Sequence, residues 1–255
     1  MMNFKTLTIL TLALLIGLFA FSFYAEVSGL WYILIIQIWL TITAIGSFNM
    51  SFDFHLKAFT SNKKIKSKKI AITFDDGPHP EFTKKVLEIL KRFNAKATFF
   101  CIGKNVESHP EIANKIVDFG HEVGNHSYSH SIFIDFNSTK KWLKEINNTD
   151  DAIEKVTGKK PTLFRPPFGV TTPHLSKAIN KTGHLVVGWN NRPYDTAIKN
   201  KDIILNRIVK KVKPGNIILL HDTQPHILYV LEHLLLYLEQ HNYQTVTVNE
   251  LYNEN

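Results

Sequence analysis

Two uncharged apolar stretches near the N-terminus, Thr6 to Ala25 and Val27 to Met50, place the strongest constraint on how this chain of 255 residues folds. Glu26 is the only charged side chain between them. Each stretch is long enough to cross a bilayer core, for which a helix needs roughly 20 residues. A signal peptide, the competing interpretation of the first stretch, has a shorter apolar region and a small-x-small cleavage site, which does not stand out near Ala25. We therefore expect residues 1–56 to form a membrane anchor of two transmembrane helices, at about 6–25 and 30–50.

A cluster of lysines follows this predicted anchor, at Lys57, Lys63, Lys64, Lys66, Lys68 and Lys69. We expect a basic linker over 57–67 and a single globular domain over 68–255. A basic cluster beside an apolar segment suits a membrane boundary better than a nucleic-acid surface, so no nucleic-acid partner is predicted. The hairpin places the domain on the same side as the N-terminus, and the lysines favour the cytoplasmic side. Large domains cross membranes largely regardless of charge, so both sides stay open for this protein, which we expect in a bacterial cell membrane.

From Lys68 onward, short β-rich runs alternate with segments of helical periodicity. Apolar side chains recur near helical spacing at Val86, Leu87, Leu90 and Phe93, and again at Trp142, Ile146, Ile153 and Val156. The β-rich runs predict seven strands, at about 70–75, 97–102, 121–125, 162–165, 184–189, 216–221 and 244–248. Alternating units of this length form a parallel sheet, either closed as a barrel or open and doubly wound.

Polar residues follow several of these strands at the point where each strand ends. The segments are "DD" at 75–76, "GNHSYSH" at 124–130, "RPPFG" at 165–169, "WNNRPYD" at 189–195 and "LLHD" at 219–222. In a barrel of alternating strands and helices, the carboxyl ends of the strands meet at one mouth, where active sites are built. We therefore expect these five segments to converge on one site.

Asp76, His126 and His130 have the donor types of a divalent metal site. The two histidines are four residues apart, so on a helical turn both imidazoles would face the same ion. Such a pair alone is a weak indication in a chain with 12 histidines. A carboxylate of Asp76 completes three ligands and leaves positions open for water and substrate, as in catalytic sites. Cys101 is the sole cysteine, which excludes an intrachain disulfide and a Cys-based zinc site.

Asp75 is the second acid of the pair and needs a separate partner, which Arg165 can provide. An ion pair with Arg165 would keep Asp75 ionised and oriented as a general base. Each residue also has an ordinary explanation: "DDGP" is a plain turn, Arg165 a surface salt bridge and His221 a histidine satisfied near the core. All of these residues are predicted to lie at the same end of one sheet. This shared location favours one functional site over three independent ordinary explanations.

The motifs "TFDDGP", "HSYSH", "RPPFG", a tryptophan-to-aspartate segment and "LLH", in this order, resemble the polysaccharide deacetylase or NodB-homology family, carbohydrate esterase family 4. The resemblance covers residues from about 68 to the C-terminus. It implies an α/β fold, a distorted (β/α) barrel of about seven strands, and metal-dependent removal of acetyl groups from amino sugars. The metal is expected to be zinc, with cobalt, nickel or manganese as alternatives.

Carried over by position, the resemblance implies a role for each motif residue. Asp75 is the base and Arg165 its tether; Asp76, His126 and His130 are the metal ligands; and His221 is the general acid. Phe168 would offer its backbone N–H to the oxyanion, while Trp189 and Leu219 would line a pocket for the acetyl methyl. Asp195 either orients Arg165 or stabilises the His221 imidazolium, and the sequence does not choose between these roles.

One motif departs from the family pattern, because Asp195 is followed by Thr196 where the family has tryptophan, and Arg192 stands at a place that is often acidic. We expect a metal-dependent N-deacetylase acting on amino sugars of a cell-envelope polysaccharide or a lipid-linked saccharide. The alternatives are a deformylase or other amidase of a lipid-linked sugar, a non-haem metal oxygenase, and an inactive carbohydrate-binding barrel. The oligomeric state is not predicted.

Overall fold

The computed structural model describes residues 2–254 and contains a curled parallel sheet of seven strands covered by helices, so the predicted α/β barrel class is confirmed. All seven strands lie where the β-rich runs predicted them, although most are shorter. They are β1 Lys69–Asp75, β2 Thr98–Cys101, β3 Glu122–Asn125, β4 Leu163–Phe164, β5 Leu185–Val186, β6 Ile217–His221 and β7 Gln244–Thr245.

The strand order β5-β4-β3-β2-β1-β6 places β1 between β2 and the edge strand β6 of a half-barrel. The register pairs Asp75 with Phe100 on β2 and with His221 on β6. Strand β7 pairs with Lys69 and Ile70, the first two residues of β1. It lies along the same edge of β1 that pairs with β2 from Thr73 onward. Because parallel neighbours in register point to the same face, Asp75 and His221 are directed toward the same mouth of the barrel.

The gap between β5 and β6 is closed by short bridges rather than by a continuous ladder. Phe59 pairs with Val187 just after β5, and Ser61 pairs with Asn216 just before β6. Asn191 then bridges directly to Ile218 on β6. Part of the predicted basic linker therefore contributes backbone hydrogen bonds to the barrel.

Helices cover the outer face of the sheet and bury the main core. Their bounds in the domain are α3 Phe82–Arg92, α4 Gly103–Ser108, α5 Pro110–Asp118, α6 Thr139–Thr157, α7 Pro173–Thr182, α8 Lys201–Val209, α9 His226–Gln240 and α10 Val248–Asn253. The helical repeat that begins at Val86 forms the buried face of α3, and the repeat that begins at Trp142 forms that of α6. The free energy gained by burying these apolar faces, about 25 cal/mol per Å², holds the helices against the sheet and fixes where each strand ends.

Two further helices precede the domain, α1 Phe4–Phe21 and α2 Gly29–Ser47, and by length and composition each is able to cross a membrane. Most of their apolar side chains are exposed. The C-terminal end of α2 contacts the domain, because the Thr171 N–H donates a 2.9 Å hydrogen bond to the Ser47 carbonyl. The Phe4 N–H likewise donates to the carbonyl of Phe54, whose side chain is buried. The hairpin base and the rim of the barrel are thus directly joined.

Gly215 provides a test of how the 59–62 segment closes the barrel. Its φ of +76° is left-handed, and a Cβ added there would lie 1.8 Å from the Asn62 carbonyl oxygen. We predict that Gly215→Ala lowers the free energy of unfolding by about 3 kcal/mol, from backbone strain and displacement of the closing segment. Gly158→Ala is the matched control, since its φ is +71° but no atom lies within 4 Å, and it should cost about 1 kcal/mol. Urea titration of both purified variants measures the difference; equal losses would contradict the closing role.

Candidate active site

The turn after β1 sends two adjacent carboxylates in different directions. Asp75 is the last residue of the strand and is 3% exposed, whereas Asp76 takes a left-handed φ of +72°. The side-chain amide of Asn105 donates a 2.9 Å hydrogen bond to the Asp76 carbonyl and fixes this backbone. Aspartate tolerates the left-handed region better than most residues, so the turn separates the two acids without needing glycine at position 76.

Asp76, His126 and His130 lie around a common point. The Asp76 Oδ1 atom is 3.5 Å from His126 Nε2 and 3.3 Å from His130 Nε2. His126 is 2% exposed, and its Nδ1–H donates a 2.8 Å hydrogen bond to the Arg165 carbonyl. That bond places a proton on Nδ1, so His126 Nε2 is the ring nitrogen directed toward Asp76.

The local conformation of 126–130 differs from the prediction. The segment is an irregular loop with a bend at 128–129 and left-handed φ values of +66° at Ser127 and +46° at His130. The predicted helical turn is therefore wrong, although the two imidazoles do converge. The Glu145 carboxylate on α6 accepts hydrogen bonds from the Tyr128 and Ser129 N–H groups, at 2.9 and 2.8 Å. These bonds hold the backbone N–H groups away from a helical ladder.

The three residues fit a divalent metal ion. The ligand atoms lie within 4.8 Å of one another, and two donors about 2.1 Å from one tetrahedral ion are roughly 3.4 Å apart. Asp76 Oδ1 is buried and accepts no hydrogen bond within residues 2–254, a state that is costly unless a cation lies beside it. Burial and the charge of His126 lower the pKa of His130, which keeps its lone pair available. Burial alone would raise the pKa of Asp76, but His126, His130 and His221 lower it well below its usual range.

Asp75 forms a buried ion pair with Arg165, as the sequence predicts. The Arg165 Nη1 atom is 2.6 Å from Asp75 Oδ1 and donates a second bond, of 2.8 Å, to Thr73 Oγ1. The other guanidinium nitrogens donate to the carbonyls of Val187 and Gly188. Burial lowers the pKa of Arg165, and the charge of Asp75 opposes that shift. The remaining Asp75 oxygen, Oδ2, is 3.8 Å from His126 Nε2 and faces the metal site.

Asp195 lies against His221 rather than against Arg165. The His221 N–H donates a 2.8 Å hydrogen bond to Asp195 Oδ2, and His221 Nδ1 is 3.1 Å from Asp195 Oδ1. Burial lowers the pKa of His221, but the hydrogen bond and charge of Asp195 outweigh it and raise the pKa to about 9. Protonated His221 therefore carries a proton on Nε2 at neutral pH, as a general acid requires.

The three residues assigned to substrate contacts border the same mouth. Phe168 has a φ of +57°, and its ring lies 4.8 Å from that of His130. The Phe168 N–H donates no hydrogen bond within residues 2–254, so it is available to a ligand. Trp189 packs against Gly169, and Leu219 pairs in register with Thr73 on β1, beside the Arg165 tether.

Asp222 is a buried acid near the site. It is not among the predicted site residues. Its carboxylate lies under Gly77, where an added Cβ would be 2.8 Å from Oδ2, and it accepts a hydrogen bond from Thr83. Burial raises the pKa of Asp222 to about 7. The aspartate after His221 is visible in the motif "LLHD". The sequence does not indicate which residue an aspartate at the end of a strand contacts. Asp222 fills the space beneath the turn that carries Asp75 and Asp76.

Comparison with known proteins matches this fold and site to one family. A family model described as "Polysaccharide deacetylase" matches residues 62–187. PdaC of Bacillus subtilis, named a peptidoglycan-N-acetylmuramic acid deacetylase, is 39% identical over 184 residues, or 72% of this chain and 38% of PdaC. A Bacillus cereus protein named peptidoglycan-N-acetylglucosamine deacetylase is 37% identical over 196 residues, covering 75% of this chain and 89% of that protein. The chain therefore spans well under half of PdaC but most of the B. cereus relative.

Solved structures agree over the same region. The PdaC structure superposes with a TM-score of 0.69 at 37% identity, covering 73% of this chain and 91% of that chain. A family 4 acetyl xylan esterase from Clostridium thermocellum, solved with a cobalt ion, gives a TM-score of 0.67 at 35% identity, covering 72% and 90%. The sequence match, the shared fold and the Asp-His-His site lead to one conclusion: the chain belongs to the polysaccharide deacetylase family.

Proposed function

We propose that this protein is a metal-dependent hydrolase that removes N-acetyl groups from amino sugars of the bacterial cell envelope. The observation that carries the proposal is the pair of separately partnered acids at the end of β1, with Asp75 on Arg165 and Asp76 beside two histidines. The peptidoglycan deacetylase names of the relatives support the substrate class. A deformylase differs only in the acyl group, which the same residues would accept.

An amide is a weak electrophile and an amine a poor leaving group, so hydrolysis needs carbonyl polarisation, an activated water and a proton donor. A divalent ion held by Asp76, His126 and His130 would supply Lewis-acid polarisation and lower the pKa of water toward about 7. Asp75, oriented by Arg165, takes a proton from the attacking water as the new C–O bond forms. The Phe168 N–H donates to the developing oxyanion.

His221 completes the reaction on the leaving-group side. As the C–N bond breaks, the nitrogen takes the Nε2 proton of His221, and the products are acetate and a free amino sugar. Asp195 stabilises the imidazolium before that transfer. Non-haem oxygenases also use two histidines and one carboxylate, but their chemistry requires neither a tethered base nor a charged histidine acid, so the hydrolase is favoured.

We also propose that α1 and α2 anchor the protein in the membrane, that 57–67 is the basic boundary segment and that 68–255 is the catalytic domain. The second helix is tied to the domain through the Ser47 carbonyl, and the buried Met50 side chain lies against Gly188. Removal of this segment as a signal sequence would expose both contacts, which favours retention of the hairpin.

Metal binding provides a test that does not require activity. We predict that the full-length protein binds one zinc or cobalt ion and that His126→Ala weakens binding by about 100-fold, because a neutral imidazole ligand and its bond to Arg165 are lost. His174→Ala is the control, since His174 is exposed and bonded only to Thr139. Metal content and calorimetric titration of the purified variants measure the effect. Equal metal binding by wild type and His126→Ala would exclude the site.

The general-base role predicts a loss of rate without a loss of metal. Asp75→Asn should lower acetate release from an acetylated amino-sugar panel by about 10²- to 10⁴-fold, while bound metal persists because Asp76 and both histidines remain. Asp118→Asn, on the exposed end of α5, should keep wild-type rates. Acetate is measured by a coupled assay, with oxygen uptake and thermal unfolding recorded in parallel. Full activity in Asp75→Asn, or oxygen uptake by the wild type, would contradict the proposal.

The general-acid role predicts how the rate depends on pH. His221 must be protonated, so kcat should fall as pH rises through about 9, the raised pKa of His221. Asp195→Asn removes the charge that raises this pKa, and the alkaline limb should move to lower pH by about one unit or more. Asp202→Asn, remote on α8, should leave the profile unchanged. A pH–rate profile of kcat gives the result, and an unmoved alkaline limb in Asp195→Asn would rule out the assigned pairing.

A further inference from the structure

A basic cavity lies between the end of α2 and the mouth of the barrel. Its volume is about 410 Å³, and Phe48 to Ser51 form one wall. Trp189, Arg192, Tyr194 and Lys211 form the other. The cavity therefore opens where the chain leaves the proposed membrane span, on the side of the barrel that carries the catalytic groups.

Arg192 and Lys211 line this cavity, and Arg207 lies at the ring of the lining residue Tyr194 without lining the cavity itself. Of the chain's four arginines, Arg92 pairs with Glu232 and Arg165 pairs with Asp75, whereas Arg192 and Arg207 form no ion pair within residues 2–254. The Nε–H groups of Arg192 and Arg207 are buried and donate no hydrogen bond among the described residues. An unsatisfied buried donor is costly, and an anion in the cavity would provide a charged partner for Arg192, the arginine that lines it.

An aromatic ring holds these arginines in place. The Cζ atoms of Arg192 and Arg207 each lie 5.0 Å from the centroid of the Tyr194 ring. The exposed Lys211 adds a third cation from the turn after α8. Guanidinium groups fixed on an aromatic face match the planar, bidentate geometry in which arginine binds phosphate.

Trp189 connects the cavity to the catalytic centre. Its ring centroid lies 5.3 Å from the Arg192 Cζ atom and 5.7 Å from the Cζ atom of Arg165, the tether of Asp75. A ligand at Arg192 is thus separated by a single side chain from the region assigned to the acetyl group. In an amino sugar acetylated at C2, the neighbouring carbon C1 carries the group that would reach this cavity.

We propose that this cavity binds a phosphate on C1 of the acetylated sugar, and that the substrate is a lipid-linked sugar phosphate rather than a neutral polymer. The inference rests on the proposed deacetylation and names its substrate class. Phosphate matches the unpaired Arg192 and Lys211, and the lipid follows from the wall formed by residues 48–51, the first after α2. Phe48 is 73% exposed there and offers an apolar surface beside the cations. The catalytic site would then act at the membrane surface.

The experiment compares two substrates of one full-length protein in detergent micelles: N-acetylglucosamine linked through diphosphate to a polyprenyl chain, and chitotetraose, which carries no phosphate. Wild type should prefer the lipid diphosphate in kcat/KM. Arg192→Gln combined with Lys211→Gln should lower that preference by about tenfold or more, because two charge-assisted contacts are removed. Lys213→Gln, an exposed lysine outside the cavity, should keep the wild-type preference.

Binding of the same lipid, measured by native mass spectrometry, separates this inference from the proposed function. Cation-dependent binding without acetate release from either substrate would support the phosphate site and contradict the deacetylation. Acetate release with no lipid preference, or equal losses on both substrates in the double variant, would overturn the phosphate site. Phosphatidylglycerol competing as well as the sugar lipid would also overturn it, since the cavity would then hold a phospholipid headgroup.

Discussion

The site depends on one buried cation, the guanidinium of Arg165. Its nitrogens bond to Thr73 and Asp75 on β1 and to the carbonyls of Val187 and Gly188 after β5, so one side chain connects β1 to the segment that follows the opposite edge strand. A buried ion pair of this kind adds little net stability, but removing one partner costs about 3–5 kcal/mol because the other charge stays buried. The Arg165 backbone carbonyl also accepts the hydrogen bond from His126 Nδ1. The orientation of the base and of a metal ligand therefore has a common origin.

Asp75 and Asp76 have different partners because of the backbone geometry, since both residues are aspartates. Aspartates at consecutive strand positions would point to opposite faces of the sheet, and the left-handed turn at Asp76 brings its carboxylate to the mouth instead. Each acid then meets a different neighbour, which lets two like charges lie close together. On the neighbouring strand β6, His221 stays protonated at neutral pH because Asp195 raises its pKa to about 9. The site thus holds a carboxylate and a protonated imidazole, which fit the proposed base and acid of amide hydrolysis.

The sequence predicts the strands and the ligand set well because both are local signals: β-rich runs end at polar motifs, and parallel strands bring those ends together. It fails where a distant residue decides the conformation. The helical turn predicted for His126 to His130 is wrong because Glu145, on α6, takes up the backbone N–H groups of the loop. The partner of Asp195 and the position of Asp222 also depend on contacts across the barrel. The pairing of Phe59 with Val187 could not be predicted, because a basic, Lys-rich segment carries no strand pattern.

The α1–α2 hairpin contacts the barrel close to the proposed active site. The Ser47 carbonyl at the end of α2 accepts a hydrogen bond from Thr171, three residues after Phe168, whose N–H is assigned to the oxyanion. The "RPPFG" segment thus carries the Asp75 tether at its start and leads directly to the contact with the hairpin. A rigid link of this length fixes the distance of the catalytic mouth from the end of α2. With the proposed anchoring in a membrane, this link would hold the mouth close to the bilayer, and Arg192 of the altered motif lines the cavity that Phe48 also lines.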